Sequence, residues 1–463
     1  MTDKKIDTYY FLGIGGIGMS ALARYFAAKG YRVLGYDRTK SPLTQTLEQE
    51  GIEVQYDEDL AAVKQLNIDT TTVVRTPAVP EDMAVYVWLK EQGFQIMKRA
   101  EILGRVTRQQ KALCVAGTHG KTTTSTILAH ILHQSHIGTN AFLGGIANNY
   151  KTNLLIDNSD KVVVEADEFD RSFHQLTPYI SVITSIDPDH LDIYETEKAY
   201  RESFEKYAGL VENALVVHKR VSGIGCQAPA KVYTYAVNEK ADFYADNVRT
   251  TGGEIWFDFH TPEHTIADVQ LGVPVWVNVE NGVAAMAVAW LVGATDEELK
   301  AGMRTFSGVY RRFNIHVNTS KVLYVDDYAH HPMEIEACIK SVRCLCPDRY
   351  VIGVFQPHLF TRTRDFADEF AAVLSTLDEV VLLPIYPARE KPILGVTSDW
   401  LMSKITATSG VKRTAKVEKA DLANYVAERV NALVEPTVVI TMGAGDIDRC
   451  VEQVKEQLIL NCI

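Results

Sequence analysis

Residues 111–132 read KALCVAGTHGKTTTSTILAHIL, and the way this stretch divides decides the fold. Ala112 to Ala116 is a short apolar run of the kind a buried parallel strand shows. Gly117-Thr118-His119-Gly120-Lys121-Thr122 is a tight loop, and Thr123 to Leu132 carries the apolar spacing of a helix. Strand, glycine turn ending in Gly-Lys-Thr, helix: this is the setting that a phosphate-binding loop requires. The N–H groups of a helix's first turn lack intrahelical acceptors and carry partial positive charge, so they bind phosphate oxygens. Lys121 adds a full charge at the β- and γ-phosphates of a nucleotide, and the Thr122 hydroxyl is the expected Mg²⁺ ligand. The loop is compressed relative to the general pattern, whose first glycine is replaced here by Val115.

Working outward, the chain's 463 residues correspond to about three domains at roughly 150 residues each. A hydrophobic content of 46% with 23% charged residues fits a globular enzyme with ample core. The net charge of −12 argues against nucleic acid or an acidic membrane as the main partner. Anionic ligands must then be held by local basic features. No apolar run approaches the ~20 residues of a membrane span, and the N-terminus lacks the cleavage site of a signal peptide. Seven scattered cysteines without zinc-ligand spacing read as free thiols of a reducing cytoplasm.

Tyr9 to Leu12 is a strand that runs into Gly13-Ile14-Gly15-Gly16-Ile17-Gly18 and then a helix from Met19. A second strand, Tyr31 to Tyr36, ends at Asp37. Together these make the dinucleotide fingerprint, with Asp37 placed for a ribose hydroxyl. The fingerprint specifies a pyrophosphate on a helix N-terminus; NAD, FAD or a nucleotide sugar would all satisfy it. Val73-Val74 leads into a loop at Arg75-Thr76-Pro77, and Met83 to Gln92 reads as a helix. The polar break at Arg105 to Gln110 marks the first domain boundary, placed at 108/109. Val162 to Glu165 is a strand ending in acid, and Glu165, the first acid as that strand leaves the sheet, is the expected second Mg²⁺ ligand. His190, among acids after the strand Ile180 to Ser185, is a candidate metal ligand or base. His130, His133 and His136 are spaced i, i+3, i+6, which does not keep three side chains on one helical face. Asn278 and Asn281 head an Ala-rich helix from Gly282, where amides cap the helix or read a purine edge. Arg311 and Arg312 follow the Gly308 turn, and the second boundary is placed at 313/314. Beyond it βα alternation restarts, and polar side chains gather after each strand, where open parallel sheets bind ligands.

Together these landmarks resemble the Mur ligases. The motifs that carry the resemblance are AGTHGKTTT at Ala116–Thr124, EADEFDRSF at Glu165–Phe173, DPDHLDIY at Asp187–Tyr194, YRRF at Tyr310–Phe313, DDYAHHP at Asp326–Pro332, QPHLFTRTRD at Gln356–Asp365 and GAGDI at Gly443–Ile447. The GIGGIGMSALA opening at Gly13 belongs to the same pattern, so the match runs the length of the chain. The resemblance implies an α/β enzyme of peptidoglycan synthesis with three domains. Residues 1–108 would be a Rossmann-like domain holding UDP-N-acetylmuramate through Gly13, Gly15, Gly16, Gly18, Asp37, Thr76 and Pro77. Residues 109–313 would be a central P-loop ATPase-type domain, and residues 314–463 a Rossmann-like domain for the amino acid. Carried over by position, Gly117, Thr118, Gly120, Lys121, Thr122 and Thr123 serve the ATP phosphates, and Thr122, Glu165 and His190 hold two Mg²⁺ ions. Asn278 and Asn281 fall at the adenine, Arg312 at an ATP phosphate, and Asp327 and Tyr328 at a further nucleotide contact. His331, His358, Arg362 and Arg364 fall where the amino acid would be placed.

The reaction implied is ATP-dependent ligation of L-alanine to the lactyl carboxylate of UDP-N-acetylmuramate through an acyl phosphate. A cytoplasmic monomer or weak homodimer is the expected form. Where many relatives have Arg-Tyr after the Pro-His of the third-domain motif, Leu359-Phe360 stand here, which throws the amino-acid carboxylate onto Arg362 or Arg364. Arg389 occupies a position that is commonly glycine. Glu205 stands where sister ligases carry a modified lysine, so no carbamylated lysine is expected. Three alternatives compete: a related ligase that attaches a tripeptide, a non-catalytic regulator that binds ATP without turnover, and a nicotinamide-dependent oxidoreductase built on Gly13–Asp37. The last leaves the Gly-Lys-Thr loop and Glu165 without a role.

Overall fold

The computed structural model describes residues 6–188, 191–388, 390–408 and 410–462. His190 and Arg389 lie outside the described residues. The strands form three sheets in two compact units, Met1–Arg249 with Trp256–Gly272 and Val279–Ser307, and Thr250–Ile255 with Val273–Asn278 and Gly308–Ile463.

The first sheet has five parallel strands in the order Glu53–Gln55, Arg32–Tyr36, Thr8–Leu12, Thr71–Arg75, Gln95–Lys98. The chain leaves Thr8–Leu12 in one direction along the sheet and later returns to its other side. That reversal opens a crevice at the carboxyl end of Thr8–Leu12, where Gly13–Gly18 and the Thr76 loop stand. The second sheet has ten strands. Its phosphate-loop strand, Lys111–Ala116, is buried on both faces between Pro178–Ile183 and Lys161–Glu165 and runs parallel to both. The register pairs Val115 with Glu165 and Ala116 with Ile183, so three carboxyl ends finish side by side.

Both sheets of the first unit share one apolar cluster that includes Phe11, Leu22, Phe26, Phe142, Phe173 and Tyr207. The helix Ile17–Ala28 sits in it: Tyr25 meets Phe142 edge-on at 5.2 Å, and Arg24 Nη1 donates to Asn153 Oδ1 at 3.0 Å. At roughly 25 cal/mol per Å² of apolar surface, this burial is the main force that holds the two sheets as one unit.

The second unit's sheet has six strands in the order Asn314–Asn318, Val322–Asp327, Thr437–Met442, Tyr350–Phe355, Glu379–Leu382, Arg413–Lys416, with only the first antiparallel to its neighbour. The unit begins in earnest at Gly308, so the turn holding Arg311 and Arg312 belongs to it, ahead of the boundary read from the sequence. The Ala-rich helix spans Val277–Leu291 and so starts before Gly282; the chain is already turning where the Asn278 N–H donates to the Val275 carbonyl at 2.8 Å. No helix among the described residues is long and apolar enough to cross a membrane.

His130, His133 and His136 turn to different partners. His130 is fully buried between the Tyr150 hydroxyl at 2.7 Å and the Thr305 hydroxyl at 2.9 Å, whereas His136 meets Glu298 at 2.9 Å and His133 faces Asp157 at 3.7 Å. Burial, with His133 nearby, pushes the His130 imidazole down to about 4. The folded protein therefore resists protonating it while the unfolded chain accepts a proton at about 6.5. Stability is full above pH 6.5 and falls as the pH drops toward 4, by on the order of 3 kcal/mol at most. Urea unfolding at pH 7 and pH 5 is expected to show this loss in the wild type and a flatter profile in H130F; equal slopes would remove His130 as its source.

Candidate functional site

The phosphate loop follows its strand into the helix Lys121–Gln134. Gly120 caps that helix at φ 80°, a left-handed conformation, and a Cβ there would stand 2.6 Å from Asn281 Oδ1. Glycine is needed on both counts. Asn281 in turn accepts the Thr124 hydroxyl at 3.2 Å, so its amide is fixed against the loop. The neighbouring strand end ties the loop down: the Thr118 N–H donates to the Ser185 carbonyl at 3.1 Å, the His119 N–H to Ser185 Oγ at 2.9 Å, and the Thr118 hydroxyl to the Asp187 carbonyl at 2.7 Å.

Lys121 folds back over this loop. Its ammonium donates to the Gly117 carbonyl at 2.6 Å, the Thr118 carbonyl at 3.1 Å, and Glu168, whose two oxygens lie 2.9 and 2.8 Å away. Burial alone would push the ammonium down, but Glu168, with Glu165 and Asp167 behind it, outweighs burial and holds it above the ordinary lysine range. Lys121 is therefore a cation at every working pH. Glu168 was not singled out in the sequence, where it is one of several acids in EADEFD.

Beside the loop a cavity of about 270 Å³ is lined by Gly16, Gly18, Thr76, Arg99, Phe142 and Glu165, among others. It joins the glycine-rich loop of the first sheet to the acid-ended strand of the second. Glu165 reaches into space that Gly144 leaves open: a Cβ on Gly144 would stand 2.1 Å from Glu165 Oε2. Arg99 also went unassigned in the sequence reading. It lies 3.3 Å from Asp167, and its place at the first turn of Arg99–Thr107, where the helix dipole disfavours a cation, is the signal that marks it. Asp37 is drawn into the loop itself, accepting the Gly15 N–H at 2.8 Å with one oxygen and the Thr39 N–H at 3.0 Å with the other. It shapes the turn, so a ribose hydroxyl would have to share these oxygens.

A nucleotide-bound Mg²⁺ needs near-octahedral oxygen ligands and keeps several waters, using one or two protein carboxylates plus phosphate oxygens. The Thr122 hydroxyl and the Glu165 carboxylate fit that donor set. Among the described residues no group of three or more His, Cys, Asp or Glu forms a closed metal cage. An ion held in part by substrate phosphate needs none.

In the second unit, Arg312 lies over the Tyr328 ring at 5.0 Å, and Asp327 accepts the Phe313 N–H and the Ala329 N–H, both at 2.7 Å. Burial, opposed by Arg312, pushes Asp327 up to about 6. Arg311 points the other way, to the Gly443 carbonyl and Asp326, and braces the sheet. His330 comes between the Tyr328 ring at 5.2 Å and the His358 ring at 6.1 Å. Burial, outweighing Glu334, keeps the His330 imidazole below its ordinary range and so neutral at pH 7, a state able to accept a proton. His331 instead caps the helix Pro332–Leu345 and packs on Phe366 at 4.7 Å. Arg364 bonds its neighbour Asp365 at 2.7 Å on the exposed face. His330 stood unassigned inside DDYAHHP because spacing cannot say which of two adjacent histidines turns inward.

Comparison with known proteins gives a consistent picture. Three family models match consecutive parts of the chain: "Mur ligase family, catalytic domain" over residues 8–111, "Mur ligase middle domain" over 115–289, and "Mur ligase, glutamate ligase domain" over 311–445. The UDP-N-acetylmuramate–L-alanine ligase of Parabacteroides distasonis is 54% identical over 99% of this chain and 98% of its own length. The protein of the same name from Phocaeicola vulgatus is 52% identical over 97% of both. Among solved structures, UDP-N-acetylmuramate-alanine ligase MurC from Thermotoga maritima superposes with a TM-score of 0.81 at 26% identity, covering 98% of this chain and 99% of that one.

Replacing Gly144 by Ala is expected to displace the Glu165 carboxylate while leaving the fold intact. Phosphate release from ATP should fall by about a hundredfold, the usual cost of moving a site group by ~1 Å, with a melting temperature close to wild type. Unaltered turnover in G144A would contradict a role for Glu165.

Proposed function

The chain belongs to the Mur ligase family, and on that premise we propose that it joins L-alanine to the lactyl carboxylate of UDP-N-acetylmuramate at the expense of ATP, releasing ADP and phosphate. The observation that carries this reading is the shared cavity: Gly16, Gly18 and Thr76 of the first sheet line the same space as Glu165, whose strand pairs with that of the phosphate loop. A nucleotide-sugar acceptor held at the glycine-rich loop would therefore lie next to the strand end that neighbours the phosphate loop.

A carboxylate does not react with an amine at neutral pH, because oxide is too poor a leaving group. In the proposed reaction a carboxylate oxygen attacks the γ-phosphorus, ADP departs, and an acyl phosphate results. The amine of alanine then adds to the acyl carbon, and phosphate leaves from the tetrahedral intermediate. Phosphoryl transfer calls chiefly for positioning and charge neutralisation. The N–H groups that open the helix, from Gly120 to Thr123, and the Lys121 ammonium are assigned to the phosphates, since Thr118 and His119 spend their N–H groups on Ser185. Thr122 and Glu165, with His190, are assigned to two Mg²⁺ ions, which when bound neutralise phosphate charge. Asn278 and Asn281 are assigned to the adenine, and Arg312, Asp327 and Tyr328 to further nucleotide contacts.

Residues 1–108 are assigned to UDP-N-acetylmuramate, 109–313 to ATP and 314–463 to alanine. Gly13, Gly15, Asp37 and Pro77 are read as the frame of the nucleotide-sugar crevice. His331, His358, Arg362 and Arg364 are assigned to the amino acid, and neutral His330 joins them as a group able to take the ammonium proton. A cytoplasmic monomer or weak homodimer is proposed; the free thiols of Cys114, Cys226, Cys338, Cys344, Cys346 and Cys450 support a reducing compartment.

Phosphate release from ATP with UDP-N-acetylmuramate should appear when L-alanine is supplied and not when it is omitted or replaced by another amino acid. Release only with a tripeptide would assign the chain to the peptide-attaching ligases instead. Oxidation of a nicotinamide without ATP turnover would remove the ligase reading altogether.

A further inference from the structure

We propose that Glu168 is a positioning residue for Lys121, holding its ammonium over the phosphate loop and competing for it with the nucleotide phosphates. The inference rests on the ATP reading of that loop. An ammonium has three donors, and in this structure the Gly117 carbonyl, the Thr118 carbonyl and Glu168 Oε1 take them at 2.6, 3.1 and 2.9 Å. A lysine stem is long and otherwise samples many rotamers. Two carbonyls alone would leave the charge poorly matched, whereas the Glu168 carboxylate, with 2% of its side chain exposed, fixes both charge and direction. Lys121 is thus held in one place over the loop.

Glu168 is itself held rigidly. Its carbonyl accepts the Tyr194 hydroxyl, and on either side Asp167 meets Arg99 at 3.3 Å and Asp170 meets Lys98 at 3.2 Å. Asp170 and Arg171 are both left-handed, at φ 52° and 54°. Such conformations persist in non-glycine residues only where the surroundings over-determine them. The segment 167–171 is therefore a fixed strut that spans from the helix Arg99–Thr107 to the phosphate loop, with Glu168 at its inner end.

A carboxylate beside Lys121 opposes the arrival of phosphate and at the same time keeps the ammonium where the transferring group needs it. Removing the charge should therefore strengthen ATP binding and weaken turnover. Binding and catalysis moving in opposite directions is the mark of a group that favours the transition state over the bound ground state. Loss of a merely structural contact would weaken both or neither.

The test is calorimetric titration of the full chain with Mg-ATP, together with kcat from phosphate release, for wild type and E168Q. The expected result is a Kd for ATP about tenfold lower and a kcat about tenfold lower in E168Q. Unchanged values, or weaker binding alongside slower turnover, would overturn the proposal. E168D carries the test if E168Q does not fold: the charge is kept but the reach is lost, so Kd should stay within about twofold while kcat drops about tenfold. An unchanged kcat in E168D would overturn it equally. A wild-type chain that binds no ATP removes the loop reading and this inference together, whereas ATP binding that E168Q leaves untouched removes the inference alone.

Discussion

A buried ammonium requires an anion. Lys121 is shut in by the loop that carries it, and the free energy of leaving its charge unpartnered would exceed anything the loop's own carbonyls return. Glu168 meets the requirement, and a bound phosphate would share it. The surrounding architecture follows from bringing these anions to one cation. Parallel strands in register deliver Glu165 beside the loop, and the strand end at Thr184-Ser185 ties down the loop backbone through the Thr118 and His119 N–H groups.

The first two sheets are held as one unit for a related reason. The acid segment after Glu165 turns Asp167 and Asp170 toward Arg99 and Lys98, on the helix and strand end that close the first sheet. Those surface-accessible pairs add little stability individually; the apolar cluster beneath them does most of that. Their effect is geometric. They hold the glycine-rich crevice of the first sheet against the acid-ended strand of the second, whose ends line one cavity.

Much of this was legible in the sequence because the signals are local. A strand, a glycine turn and a helix in immediate succession mark both the Gly13 and Gly117 loops, and an apolar run ending in acid puts Glu165 at a strand end. The three sheets follow from the repeated βα alternation. Choices between neighbouring residues of the same chemistry were not legible. EADEFD offers four acids, and only the packed strut shows that Glu168, and not Asp167 or Asp170, turns onto Lys121. HisHis in DDYAHHP divides in the same way, with His330 turned toward His358 and His331 spent on a helix cap. Asp37 matched the fingerprint by spacing, yet its oxygens are occupied by the turn it stabilises. In each case the deciding fact is the direction of a side chain, which depends on neighbours distant in sequence.

The most direct measurement follows oxygen. UDP-N-acetylmuramate labelled with ¹⁸O in its lactyl carboxylate is turned over with ATP and L-alanine, and the released phosphate is analysed by mass. Activation of the carboxylate by the phosphate loop predicts that each phosphate carries one ¹⁸O atom taken from the substrate. Phosphate containing only unlabelled oxygen would contradict transfer to the carboxylate, and with it the role assigned to Lys121 and its partners.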